Sequence, residues 1–61
     1  MKKAIVYLRR SKSARPERTH REFRGRENAI FFCAGYNAAM RDMDKAVRAF
    51  LLDERGETLW P

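Results

Sequence analysis

Residues 29–40 read Ala29-Ile30-Phe31-Phe32-Cys33-Ala34-Gly35-Tyr36-Asn37-Ala38-Ala39-Met40, and the rest of the chain arranges itself around the way this stretch is interpreted. Ile30, Phe31, Phe32 and Cys33 would cover nearly the whole circumference of a helix. Such a helix must be enclosed on all sides, or the segment must be a buried strand. Gly35 is a residue type that ends helices, and Asn37 one that caps them. This pattern predicts a helix over about 20–34, a break at Gly35 and Tyr36, and a second helix over about 38–54. The alternative is a second strand at 29–34 packed on one C-terminal helix.

Towards the C-terminus, Met40, Met43, Val47, Phe50, Leu51 and Glu54 recur at helical spacing, and Ala39 and Ala46 widen the stripe. Arg41, Lys45 and Arg48 fall opposite, Asp44 and Arg48 make an i,i+4 pair, and Gly56 ends the pattern. Towards the N-terminus, Thr19 and Glu22 form a capping-box spacing that starts a helix near His20. Phe23, Glu27, Ile30 and Ala34 share a row, although Gly25 weakens that helix by about 1 kcal/mol relative to alanine. Ser11 to Thr19 is a polar linker punctuated by Ser11, Ser13 and Pro16. Lys3 to Arg10 reads as a strand, with Ala4, Val6 and Leu8 on one face and Lys3, Ile5, Tyr7 and Arg9 on the other. It needs a partner, either its own copy in a second chain or the tail Glu57–Trp60.

The expected fold is mostly α with a short N-terminal β-strand: strand, basic linker and two helices in a single domain, 1–61. Its parts are a basic strand and arm (1–27), a helical apolar half (28–56) and a short tail (57–61). Phe32 points roughly 180° from Phe23 on a helical wheel, and a two-helix monomer could not cover both. A dimer is therefore expected.

Sixty-one residues with a formal net charge of +6 lie at the lower edge of independent stability. One cysteine, Cys33, excludes an internal disulfide, and one histidine, His20, leaves no zinc-ligand set. An unpaired thiol suits a reducing, cytoplasmic location. The apolar run Ala4–Leu8 is shorter than the roughly 7–15 residues of a signal-peptide core, and no run approaches the ~20 residues of a membrane span. The charge is asymmetric: residues 1–27 carry ten bases against three acids, and residues 28–61 carry four against five. Seven of those ten bases are arginine, whose planar fork suits phosphate. Such asymmetry points to nucleic acid or an acidic surface.

No catalytic constellation is present. His20 lies between charged neighbours as a surface residue, and Cys33 sits in apolar surroundings that favour an inert thiol. Neither a nucleophile–base pair nor a metal or cofactor motif is found, so the chain is read as a non-enzyme without cofactors.

Strand, helix, turn and helix, with Gly35-Tyr36-Asn37-Ala38-Ala39-Met40-Arg41 at the turn, resembles the ribbon-helix-helix DNA-binding family over roughly residues 3–54. That resemblance implies that the strands of two chains pair and enter the major groove. Ser11 to Thr19 lengthens the usual strand-to-helix connection. Ile5-Val6-Tyr7-Leu8-Arg9-Arg10-Ser11 is similar to the first strand and nucleophile segment of serine recombinases, in which Ser11 would match the catalytic serine. The rest of that catalytic domain is missing. The size and the Ala-Gly-Tyr-Asn-Ala-Ala segment look like small accessory proteins of phages and mobile elements.

The function expected is that of a small basic nucleic-acid-binding accessory or regulatory protein, acting on DNA as a dimer. Lys3, Arg9, Arg10, Lys12, Arg15, Arg18, Arg21, Arg24 and Arg26 would hold the nucleic acid. Ile30, Phe31, Phe32, Met40, Met43, Val47, Phe50, Leu51 and Trp60 would form a dimer or partner interface. The alternative is a phage-type protein-directed inhibitor that docks on a host enzyme through its apolar helix face and basic arm. An RNA-binding arginine-rich segment would use the same residues 9–26; neither a membrane nor a small-molecule substrate is implied.

Overall fold

The computed structural model describes residues 3–61; Met1 and Lys2, which open the basic arm, lie outside the described residues. The chain runs β1 (Ala4–Arg9), β2 (Glu17–Phe23), α1 (Arg26–Asp42), β3 (Arg48–Leu52) and β4 (Thr58–Trp60). The strands form one antiparallel sheet in the order β2-β1-β3-β4. One helix covers one face of that sheet. The expectation of a mostly helical chain with two helices is therefore wrong, and so is the alternative strand at 29–34.

The single helix runs straight through Gly35, Tyr36 and Asn37. Alanines at 29, 34, 38 and 39 favour helix, and Glu27 in the first turn and Arg41 in the last complement its dipole. The helix ends at Met43, with Asp44 in the left-handed region at φ 59°. The Lys45 amide donates to the Met40 carbonyl at 2.8 Å and the Asp44 amide to that of Arg41 at 3.0 Å. These two bonds make a Schellman-type stop, with aspartate filling the position that glycine usually takes.

Residues 48–52 are therefore a strand and not the middle of a helix. Their burial alternates, with Ala49 and Leu51 inward. The same apolar residues satisfied a period of 3.6 only because Phe50 and Leu51 are both large. Asp53 and Gly56 close the β3–β4 hairpin. The Asp53 carboxylate accepts from the Arg55 and Glu57 amides at 2.8 and 2.9 Å, and Gly56 takes φ 86°, a conformation open to glycine at little cost. The tail strand thus pairs with β3, not with β1. Glu17–Phe23 is likewise a strand, so the Thr19–Glu22 spacing caps nothing. The Thr19 hydroxyl instead donates to the Val6 carbonyl at 2.7 Å, where the β1–β2 register is irregular.

Because β1 is paired on both edges, it has no free edge to offer a second chain. This rules out the intermolecular ribbon expected from the ribbon-helix-helix likeness. The core lies between sheet and helix: Ala4, Val6, Ala49 and Leu51 meet Ala29 and Cys33. Small residues on α1 allow the helix to approach closely, and burying Val6 and Leu51 stabilises by about 1.5–3 kcal/mol each. Burial also pushes the Cys33 thiol pKa up, as expected of an inert interior cysteine.

Asn37 continues the row of Ala29 and Cys33 onto β3. Its side-chain amide donates to the Ala49 carbonyl at 3.0 Å, and the Ala49 amide donates to Asn37 Oδ1 at 2.6 Å. β4 pairs only with Leu51 and Leu52, so the amide of Asn37 stands in for a missing strand at the edge of β3.

Candidate nucleic-acid interface

The helix covers the face of the sheet that carries Ala4, Val6, Ala49 and Leu51. The opposite face carries Ile5, Tyr7 and Arg9 from β1, and Arg48, Phe50 and Leu52 from β3, because neighbours along a strand alternate. No element covers this second face among the described residues. Ile5 is nevertheless only 2% exposed, whereas Tyr7 and Phe50 are half-buried.

Tyr7 and Phe50 are direct cross-strand partners on the two central strands. Their ring centroids lie 5.9 Å apart at 32°, within the range of favourable aromatic pairs. The Arg9 guanidinium lies 5.6 Å from the Phe50 centroid, a cation–π contact. Arg18 is the register partner of Tyr7 on the other side, which brings it to the same face. Lys3 and Arg18 both pair with Glu22, at 3.6 and 3.0 Å. The open face thus carries two adjacent rings and four basic side chains, Lys3, Arg9, Arg18 and Arg48, with Glu22 as a partner for two of them.

The expected basic set divides in four. Lys3, Arg9 and Arg18 belong to the open face. Arg10, Lys12 and Arg15 lie in the exposed β1–β2 connection, where Arg10 pairs with Glu17 at 3.6 Å. Arg21 and Arg26 belong to the helix side: Arg21 stacks 4.6 Å from the Phe32 centroid and Arg26 donates to the Leu59 carbonyl. Arg24 is exposed between β2 and α1.

The expected apolar interface is not one surface. Leu51 is core, and Ile30, Phe32 and Trp60 pack around it. Phe32 meets Phe23 at 5.7 Å and Tyr36 at 6.4 Å, because Phe23 arrives on a strand and not on the same helix. Met40 and Val47 are half-buried, and Phe50 is on the sheet's open face. Among the described residues, only Phe31 and Met43, 75% and 58% exposed, stand clear as large hydrophobic residues. Sequence reasoning grouped Arg48 with a solvated helix side and so missed it. Its alternation with Phe50 in Arg48-Ala49-Phe50-Leu51 is the signal that could have revealed it.

Comparisons with protein-family models, curated proteins and solved structures find no match. Among the described residues, no group of acidic, histidine or cysteine side chains could hold a metal ion, and no helix is long and apolar enough to cross a membrane.

Proposed function

We propose that this chain is a small nucleic-acid-binding accessory protein that takes a single strand on the open face of its sheet. The observation that carries this reading is the Tyr7–Phe50 pair, uncovered on the central strands and bordered by arginines. Unstacked bases find π-faces on such a platform, whereas a duplex keeps its bases stacked inside and offers mainly edges and phosphates. The surplus positive charge supplies the phosphate attraction. The protein acts by binding and not by catalysis, and the buried free thiol of Cys33 suits a reducing, cytoplasmic setting.

Fluorescence anisotropy with labelled single-stranded DNA, single-stranded RNA and duplex DNA, each at several salt concentrations, tests this. Single strands should bind more tightly than duplex. Log affinity should fall linearly with log salt, with a slope of about −0.7 per phosphate contact on single strands. Tyr7→Leu and Phe50→Leu keep apolar bulk in the sheet but remove the ring, and each should weaken binding by about 1–3 kcal/mol. Unchanged affinity in both variants, with the fold intact by circular dichroism, would sink the platform reading. Binding to no nucleic acid at low salt would favour the protein-directed alternative, for which exposed Phe31 is the strongest observation.

A further inference from the structure

β4 is too short to cover the whole edge of β3, and a notch of about 480 Å³ remains beside residues 48–50. Arg9, Lys12, Arg48 and Phe50 line it, and Asn37, clamped to Ala49, bounds it on the helix side. The notch is therefore continuous with the aromatic platform at Phe50.

Its charge is unusual for a folded sheet. Arg9 and Arg48 are direct cross-strand partners, and like charges so placed destabilise a sheet. Unlike Lys3 and Arg18, which share Glu22, neither has a carboxylate partner among the described residues, and neither does Lys12. Arg48 is also held in place: its Nη1 donates to the Lys45 and Val47 carbonyls at 2.6 and 2.7 Å. Those carbonyls orient the guanidinium without neutralising its charge. Arg9 is steadied against the Phe50 ring. Three cations without an ion pair among the described residues, two of them held in place, line one cavity that Thr58 and Pro61 bound on the β4 side.

We infer that this notch is an anion pocket for the terminal phosphomonoester of a strand lying on the sheet. The inference rests on the single-strand reading above. A terminal phosphomonoester carries about −1.5 to −2 at pH 7 and presents three acceptor oxygens, which matches three converging cations better than the single charge of an internal diester. Arginine forks bind such a group bidentately. The Asn37–Ala49 clamp closes the helix side, so the notch suits the end of a strand and not a backbone passing through.

The test compares one oligothymidylate carrying a 5′-phosphate, a 3′-phosphate or no terminal phosphate, with the full chain and with its Lys12→Ala and Arg48→Lys variants. One phosphorylated end should bind about tenfold more tightly than the unphosphorylated strand, and which end does so gives the polarity. Both variants should lose that advantage. Lys12 lies in an exposed loop, so its variant keeps the test independent of folding. Equal affinity for all three strands would overturn the pocket while leaving the platform standing. If no strand binds, the platform reading fails, and amide chemical shifts on adding thymidine 5′-monophosphate then decide about the pocket alone. Shifts centred on residues 9, 12 and 48, absent with thymidine, support it, and their absence overturns it.

Discussion

Removing the Asn37 amide should destabilise the protein far more than its half-buried, mid-helix position suggests. In Asn37→Ala, the Ala49 amide and carbonyl lose their partners at 2.6 and 3.0 Å together, and β4 does not extend far enough to replace them. A hydrogen bond of this kind contributes about 0.5–1.5 kcal/mol net. The notch admits some water to the freed groups, so the expected loss is about 1–3 kcal/mol. In a domain of this size that lowers Tm by roughly 5–20 °C. Asn37→Asp separates the two bonds: it keeps an acceptor for the Ala49 amide but sets a carboxylate against the Ala49 carbonyl. It should be no more stable than Asn37→Ala at neutral pH. Thermal melts followed by circular dichroism measure the loss, and amide hydrogen exchange at Ala49 localises it. Were Asn37→Asp to melt with the parent, or the Ala49 amide to stay protected in Asn37→Ala, the side chain would not be acting as a surrogate strand.

Two further outcomes follow from the helix. Gly35 lies inside α1, and a Cβ there would meet no atom within 4 Å, so Gly35→Ala should stabilise by about 0.5–1 kcal/mol in urea unfolding. A destabilised variant would mean that the helix breaks at Gly35 after all. Phe32→Ala removes contacts with Phe23, Tyr36 and Arg21 and should cost about 2–3 kcal/mol. Phe31→Ala, at a side chain 75% exposed, should stay within about 0.5 kcal/mol of the parent. The reverse ranking in denaturant titrations would show that Phe31, not Phe32, is the packed ring.

What residues 3–10 would do was legible in their order alone. Ile5, Val6 and Tyr7 favour a strand, and strict alternation assigned Val6 and Leu8 to one face and Tyr7 and Arg9 to the other, a division that held in the folded sheet. The basic character of the first half was equally plain, as was the buried environment of Cys33. Local sequence carries these properties because charge and period-two patterning need no knowledge of distant neighbours.

The tertiary structure alone decided the rest. β2 is an edge strand with mostly exposed residues, so Glu17–Phe23 has no apolar alternation to announce it, and it becomes a strand because β1 needs a partner. Gly35 and Asn37 looked like the end of one helix and the cap of the next. Packing overrides the glycine's modest cost, and Asn37 is used instead to satisfy a β3 edge twelve residues away. The run Met40 to Glu54 satisfied a helical period and a strand period at once. Its division falls at Asp44, whose left-handed backbone stops α1, and β3 then pairs with β1 and β4. Only that pairing places Phe50 opposite Tyr7 and Arg48 opposite Arg9. The candidate binding face is therefore a product of strand register: residues some forty positions apart in the chain become neighbours only after the sheet has closed.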